Sequence, residues 1–301
     1  MKIRDIKEYL FLFKSRLHAK RSLVLLWSWH LLRLKKLLRI DFTTAREDRS
    51  IKIDIVVPTV DFDTLAESLE ARRKNILHTI NKIFIVSKAG IGAEEFCQKN
   101  NCVFIDERSV LGYGKEAMPF YTVDNVDRRG WLFQQLLKLS GEKFVEMENY
   151  LIIDADTMLI NPHSFIEAGT YVFFQNEEWN EPYFKNFKKI FGYPAPTRLS
   201  YTSHMMIFNT KKLALMKKEI EKKHRISWDK VYVSTTAEQE FSCISDYDTY
   251  ANWVLHNFPH EVKNRVFYNK GLSRKYLAPI EILKNKWSKK YNSLSFHIWI
   301  Q

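Results

Sequence analysis

The chain has 301 residues and a mass of 35.9 kDa, with 46% hydrophobic and 14% aromatic residues. This composition excludes intrinsic disorder and predicts a folded body with a full core, in one large domain or two small ones. The net charge of +12 is unevenly placed, because residues 1–40 contain eleven Lys or Arg and two acidic side chains and so carry +9 of it. The body is nearly balanced in charge, which argues against nucleic acid as a partner.

The N-terminal tail combines a short apolar run with positive charge on both sides. Residues 22–32 are apolar, and Lys and Arg flank them. A bilayer-spanning helix needs roughly 20 apolar residues, and a secretory signal would not be followed by further basic residues. The pattern predicts an amphipathic helix in the membrane interface, with Trp27 and Trp29 among its anchors. The alternative is a helix that packs on the body or on another subunit.

From residue 51 onward, strands alternate with helices. The pattern predicts strands at residues 51–59, 82–87, 102–106 and 150–154, and helices at residues 64–80, 93–99 and 129–139. This alternation indicates an α/β fold, with a mostly parallel sheet flanked by helices and ligands at the carboxyl ends of its strands. We therefore divide the chain into a basic amphipathic extension, residues 1–48, and one α/β domain, residues 49–301.

Two carboxylates stand directly after the most apolar predicted strand. Asp154-Ala155-Asp156 follows Leu151-Ile152-Ile153. Carboxylates one residue apart at the end of a buried strand suit a hard divalent cation such as Mn²⁺ or Mg²⁺. Such a cation can bridge the phosphates of a nucleoside diphosphate and take up the charge of a leaving group. The alternative is a solvated turn.

A phosphatase of the haloacid-dehalogenase type would also place Asp-x-Asp after an apolar strand. These enzymes have Thr or Val two positions beyond the second aspartate, where this chain has Met158. Their aspartates usually follow the first strand of the domain, whereas several strands precede Asp154. The phosphatase is therefore an alternative rather than the main hypothesis.

With Asp154 and Asp156 placed in this way, the body resembles the GT-A class of glycosyltransferases. It is more closely similar to poorly characterised bacterial proteins of that class associated with surface polysaccharides. The likeness covers about residues 53–258, and five segments recur in the same order. They are the strand ending in Pro58-Thr59 with Asp63 soon after, the Arg129-Gly130-Trp131 helix with Gln134, Gln135 and Lys138, residues 154–162, residues 203–208 with His204, and residues 245–250.

The resemblance implies a role for each segment. The nucleotide and its phosphates would contact Pro58, Thr59, Asp63, Arg129, Gln134, Gln135, Lys138, Asp154, Ala155 and Asp156. His204 would lie near the sugar, and Asp246 would be the catalytic base, in place of the family's longer Glu. Many members of the class return a late histidine to the cation, so His297 would join Asp154 and Asp156 as a metal ligand.

Structural alternatives remain open for several of these residues. Gln134, Gln135 and Lys138 can form the polar face of an amphipathic helix, and His204 can be a buried structural group. Asp246 or Asp248 can simply cap the helix predicted at residues 250–255. The aromatic-rich residues 176–202 can form an acceptor surface or a lid, or a connecting segment.

The resemblance and the tail together predict a divalent-metal-dependent glycosyltransferase. It would transfer a sugar from a nucleotide donor to a lipid-linked glycan in bacterial surface polysaccharide assembly. Residues 1–40 would hold it at the cytoplasmic face of the cell membrane as a peripheral protein. A catalytically silent scaffold of the same fold is the alternative from another functional class.

Overall fold

The computed structural model describes residues 23–119, 122–123, 126–236, 242–297 and 300. The part of the predicted membrane-binding tail at residues 1–22 lies outside these residues. Ten α-helices are described: α1 Leu23–Leu37, α2 Asp63–Asn75, α3 Ala93–Lys99, α4 Glu107–Leu111, α5 Arg129–Lys138, α6 Glu181–Phe191, α7 Thr210–His224, α8 Trp228–Ser234, α9 Asp246–Asn257 and α10 Ile280–Trp287.

The strands described number thirteen, several of them only two or three residues long. They are β1 Lys52–Pro58, β2 Thr79–Ser87, β3 Val103–Asp106, β4 Thr122–Val123, β5 Val126–Asp127, β6 Asn149–Ile153, β7 Thr157–Leu159, β8 Ile166–Glu167, β9 Thr170–Gln175, β10 Met205–Asn209, β11 Val262–Val266, β12 Asn269–Ser273 and β13 Ser293–His297.

A five-stranded sheet forms the centre of the body, in the order β10-β6-β1-β2-β3. The strands β6, β1, β2 and β3 are parallel, and β10 runs antiparallel beside β6. In the β1–β6 register, Ile55 lies opposite Leu151 and Val56 opposite Ile152, and all four side chains are buried. Strands buried on both faces are apolar along their whole length, which explains these sequences. The predicted α/β fold with a mostly parallel sheet is confirmed.

A second sheet, β12-β13-β7, brings the C-terminal strand beside the end of β6. Strand β7 begins at Thr157, directly after Asp156, and pairs antiparallel with β13 so that Thr157 lies opposite Ser295. This pairing carries His297, the last residue of β13, to the carboxyl end of the central sheet. A third sheet has the order β11-β9-β8.

The predicted helix at residues 64–80 is wrong only in its last five residues, 76–80. Helix α2 ends at Asn75, and residues 79–87 form β2. The Ile76 N–H still donates to the Arg72 carbonyl at 3.0 Å, but Ile76 has an extended backbone with ψ of 120°. The next N–H, of Leu77, donates to the His163 carbonyl at 2.9 Å. A backbone partner distant in sequence therefore ends the helix although the apolar spacing continues.

Helix α1 packs on the body through one face. Trp29 and Leu32 are buried in an apolar cluster that includes Val266 and Tyr268. Arg33 and Lys36 each form an ion pair of 3.0 Å with Glu177. The other face is exposed and apolar, with Trp27, Leu31, Leu34, Leu37 and Leu38. None of the helices within the described ranges has the length and apolar content that crossing a bilayer requires.

Candidate active site

The site lies where β6, β10 and β13 meet. Asp154 follows β6, His204 precedes β10, and His297 ends β13. The Asp154 N–H donates to the His204 carbonyl at 2.8 Å, and the Phe296 N–H donates to the Asp156 carbonyl at 2.9 Å. Backbone hydrogen bonds therefore fix the two aspartates and the two histidines relative to one another. The His204 and His297 ring centroids are 5.3 Å apart.

The Asp154 carboxylate is bound by three side chains. Lys138 Nζ donates to Oδ1 at 2.7 Å, and the Tyr247 hydroxyl donates to the same oxygen at 2.9 Å. His204 Nδ1 lies 3.1 Å from Oδ2. Burial alone would raise the pKa of Asp154, but the Lys138 charge and the His204 hydrogen bond hold that pKa well below its usual range. Asp154 is therefore a permanently ionised organising group.

Lys138 is a cation inside the protein. Its side chain is 3% exposed, and its Nζ lies 3.8 Å from Asp246 Oδ2 as well as close to Asp154. It also lies 4.5 Å from the centre of the Tyr247 ring. Burial opposes the charge, but the charges of Asp154 and Asp246 more than offset burial and raise the pKa of Lys138. The ammonium group therefore stays charged and balances the buried carboxyls.

Asp246, the predicted base, is buried at the start of α9. Its N–H donates to Gln135 Oε1 at 2.9 Å, so Gln135 holds the first turn of that helix. Its Oδ2 atom is buried and has no hydrogen-bond partner among the residues that the structure describes. Burial raises the pKa of Asp246 to about 7, although Lys138 acts against the shift. The structure thus provides an acid that titrates near neutrality beside Lys138 and Asp154.

The structure does not support the alternative that Asp246 or Asp248 caps this helix. Ser245 is the N-cap, and its Oγ accepts a hydrogen bond from the Asp248 N–H at 3.0 Å. The helix begins at Asp246, earlier than the predicted residues 250–255, because this cap satisfies its first turn. The Asp248 carboxylate accepts hydrogen bonds from the Tyr201 N–H and from the hydroxyls of Ser200, Thr202 and Ser245. Asp248 therefore ties residues 200–202 to α9.

Asp156 and His297 form the second carboxylate–histidine pair of the site. His297 Nδ1 lies 3.1 Å from Asp156 Oδ2, and the Thr157 hydroxyl makes a long contact of 3.5 Å with the other Asp156 oxygen. Gly271 on β12 lies beside the ring: a Cβ there would lie 3.4 Å from His297 Cδ2, at the edge of ordinary contact, and 3.1 Å from Ile300 Cδ1. Glu178 lies within electrostatic reach of both His204 and His297.

The Asp156–His297 pair fits a hard divalent cation. Two neighbouring ligands of a six-coordinate ion, each at about 2.1–2.2 Å, lie about 3 Å apart, which matches the observed separation. Across the described ranges, no three His, Cys, Asp or Glu side chains gather as a complete ligand set. Mg²⁺-type sites commonly use one or two protein carboxylates and complete the shell with substrate phosphates and water. The residues present fit that kind of site rather than an all-protein cage.

The residues predicted to meet the nucleotide divide into two groups. Gln134 Nε2 donates to the Pro58 carbonyl at 3.2 Å and so fixes the end of β1, and the Thr59 hydroxyl donates to the Asp61 carbonyl at 2.8 Å. Asp63 is exposed at the start of α2, and Arg129 pairs with Asp127 at 2.8 Å. The structure therefore joins Gln134 to Pro58 and Lys138 to Asp154, whereas Asp63 and Arg129 lie toward the surface.

Arg72 was missed by the sequence reasoning. It is fully buried on α2, and its Nη2 donates to the carbonyls of Asp154 at 2.7 Å and Thr157 at 3.3 Å. Burial lowers the pKa of Arg72 to about 10, with the aspartates opposing the shift. The sequence carried a signal, because Arg72 stands at helical spacing on the buried stripe of Leu65, Leu69 and Ile76. An arginine on an apolar stripe indicates a buried carbonyl or carboxylate to bind.

Comparison with known proteins identifies the family. The model of DUF6492, a family of unknown function, matches residues 40–272. The chain belongs to this family. The match includes Asp154, Asp156, His204 and Asp246, and ends before His297. No curated protein matches the chain.

Several similar solved structures are glycosyltransferases, all at low identity. Mouse xyloside xylosyltransferase 1 in its apo form is 10% identical, with 82% of this chain and 98% of that chain covered and a TM-score of 0.43. The galactosyltransferase LgtC in complex with donor and acceptor sugar analogues is 11% identical, with 81% of this chain and 87% of that chain covered and a TM-score of 0.43. The bifunctional glycosyltransferase WbbM in its apo form is 9% identical, with 85% of this chain and 48% of that chain covered and a TM-score of 0.48. These are distant likenesses of this DUF6492 chain.

Proposed function

We propose that the chain is a divalent-metal-dependent glycosyltransferase that moves a sugar from a nucleotide donor to a glycan acceptor. One observation carries the proposal: the Asp156–His297 pair stands at the carboxyl end of a parallel sheet, beside an aspartate that a buried lysine keeps ionised. Ligands of such sheets bind at this end of the strands. The five sequence segments that resemble the GT-A class, in the same order along the chain, support the same function.

Asp156 and His297 are the proposed protein ligands of Mn²⁺ or Mg²⁺. The cation would supply positive charge to the diphosphate that leaves the sugar. Asp154, the other predicted ligand, already accepts two hydrogen bonds on Oδ1 and one on Oδ2, which leaves only one of its roughly four lone-pair sites for a cation. We therefore give Asp154 the role of positioning His204 and Tyr247 at the wall of the crevice.

His204 and Asp246 have different access to a substrate. The hydrogen bond of His204 Nδ1 to Asp154 leaves Nε2 as the other polar atom of the ring. Burial disfavours the charged ring, but the hydrogen bond to Asp154 more than offsets this effect and raises the pKa of His204. The raised pKa favours a positively charged His204 ring beside the donor phosphates. A base must reach the acceptor hydroxyl. Asp246 is buried against Lys138, so its role as base requires that the acceptor enter as far as Lys138.

We further propose a membrane-linked acceptor, as in bacterial surface polysaccharide assembly at the cytoplasmic face. The support is the outer face of α1, where Trp27 is 72% and Leu37 78% exposed although the opposite face is packed on the body. Exposed Trp and Leu next to Lys and Arg suit an anionic interface. Leu34→Glu with Leu38→Glu should abolish flotation with phosphatidylglycerol vesicles at unchanged stability. Undiminished flotation would remove this surface from the proposal.

The central experiment measures nucleotide binding. Thermal stability is recorded with UDP, GDP, CDP, ADP and dTDP, with and without Mn²⁺, for the wild type and Asp156→Ala. Asp48→Ala is the matched control, because this half-buried aspartate precedes β1 and so lies at the opposite end of the sheet. We expect one nucleotide to stabilise the wild type and the control in a Mn²⁺-dependent manner, and not Asp156→Ala. No response to any nucleotide would contradict the transferase and favour the scaffold.

A further inference from the structure

An ion pair closes the gap between the loop after β1 and the end of β12. Arg274 directly follows β12, and its Nη2 pairs with Asp61, which lies three residues beyond the end of β1. The Arg274 and Asp61 side chains are 33% and 32% exposed. None of the nucleotide contacts proposed above includes either residue.

This pair lies at the same end of the central sheet as Asp156 and His297. Ser273, the neighbour of Arg274, stands opposite His297 in the β12–β13 register. On the other side, the Thr59 hydroxyl accepts a hydrogen bond from the Asp61 N–H at 3.0 Å, so Asp61 is fixed at the end of β1. The guanidinium therefore stands between the carboxyl end of β1 and the strand pair that holds His297. Phosphates bound near Asp156 and His297 would lie on this side of the sheet.

The guanidinium is only partly used by Asp61. Arg274 Nε is buried and, within the described part of the chain, has no hydrogen-bond partner. A guanidinium offers five N–H donors in a planar fork that matches two oxygens of a phosphate. Ion pairs with this exposure contribute little to stability, so exchanging Asp61 for a phosphate costs little. Charge-assisted bidentate contacts to phosphate are stronger.

We propose that Arg274 anchors a phosphate of the donor and that Asp61 holds the guanidinium in place until the anion binds. The inference rests on the proposed function, since it names the residue that takes the donor's diphosphate. Asp61 then competes with the ligand for Arg274. Removing the Asp61 charge should therefore strengthen anion binding, whereas removing the Arg274 charge should weaken it.

The test is a double-mutant cycle on ligand affinity, measured by calorimetric titration with Mg²⁺. The ligands are inorganic pyrophosphate and whichever of UDP, GDP, CDP, ADP and dTDP stabilises the protein most. Arg274→Gln should weaken binding by about tenfold or more, as loss of a charged hydrogen bond does. Asp61→Asn should tighten it several-fold, and it keeps an oxygen for the Asp63 N–H, which Asp61 Oδ1 accepts at 3.1 Å. Lys275→Gln, at the exposed neighbouring lysine, controls for the loss of one positive charge.

The double variant separates competition from general repulsion. If Asp61 acts by holding Arg274, Asp61→Asn gives no gain in the Arg274→Gln background. An equal gain in both backgrounds would overturn the holding role. Unfolding midpoints of all variants are measured alongside. If the ion pair is purely structural, Arg274→Gln and Asp61→Asn each lower the unfolding midpoint and leave ligand affinity unchanged. That result would overturn the anchor.

The two ligands keep this inference distinct from the proposed function. Tight nucleotide binding that Arg274→Gln does not change would refute the anchor and leave the transferase intact. Suppose instead that pyrophosphate binding depends on Arg274 and that no nucleotide binds more tightly than pyrophosphate. This result would support Arg274 as a phosphate anchor and refute the nucleotide-sugar donor.

Discussion

Asp154 and Asp156 are two residues apart at the end of one strand, yet their surroundings differ. Asp154 accepts hydrogen bonds from Lys138 and Tyr247, contacts His204, and has its carbonyl bound by Arg72. Asp156 contacts His297 and, at 3.5 Å, the Thr157 hydroxyl. Their side chains are similarly exposed, so the difference lies in partners rather than in burial. A paired-carboxylate motif can therefore join one organising residue to one ligand-binding residue.

The largest effect should come from removing the positive charge of Lys138, which binds Asp154. Lys138→Met leaves the buried Asp246 and the partly exposed Asp154 without their counter-charge, and breaking a buried pair typically destabilises by about 3–5 kcal/mol. We expect a loss of this size in the free energy of unfolding by urea. Lys189→Met, on the exposed side of α6, is the matched control and should change it little. An unchanged stability of Lys138→Met would show that Asp154 is not held as described.

The pH dependence of stability should report on Asp246. Because burial raises its pKa to about 7 from 3.8, the folded protein keeps a proton that the unfolded chain releases. The resulting stabilisation is present below about pH 4 and is lost as pH rises through about 7, with a slope of at most about 1.4 kcal/mol per pH unit. Asp246→Asn should flatten this fall in urea titrations from pH 4 to pH 8. Asp248, whose pKa burial raises to about 6, contributes equally in both proteins. Parallel curves would contradict the shift.

On the Asp156 side, a smaller and more local effect is expected at Gly271. A methyl group there would lie 3.4 Å from His297 Cδ2, at the edge of ordinary contact, and 3.1 Å from the flexible end of Ile300, so the ring needs to move little. Changes that displace a ligand's support cost about 10–100-fold in metal affinity, so Gly271→Ala should weaken Mn²⁺ binding by less than about tenfold. Gly130→Ala is the control, because a Cβ at that helical glycine meets no atom within 4 Å. A loss of about a hundredfold in Gly271→Ala would contradict the placement of His297 and Ile300 beside β12.

The sequence predicted the fold well where local pattern and tertiary packing agree. The apolar runs of β1 and β6 mark buried parallel strands, and the confirmed α/β fold follows from them. The end of α2 at Asn75 was missed because the Leu77 N–H is bound by His163, far away in sequence. The pattern also could not show that Ser245, rather than an aspartate, caps α9.

The residues of the site could be predicted from the sequence, but the contacts between their side chains could not. Asp-x-Asp after an apolar strand marked the end of β6, and the resemblance pointed to Lys138 and His297. That Lys138 binds Asp154 depends on the packing of α5 against β1, which no local spacing encodes. Arg72 could have been found from its place on a buried helical stripe.

The most direct measurement compares Mn²⁺ affinity in Asp154→Asn and Asp156→Asn, by the electron paramagnetic resonance signal of unbound Mn²⁺, with Asp48→Asn as control. We expect Asp156→Asn to weaken Mn²⁺ binding by about tenfold or more, and Asp154→Asn to stay within a few-fold of the wild type while losing stability. Equal loss of Mn²⁺ binding in the two variants would contradict the division of roles between the two aspartates.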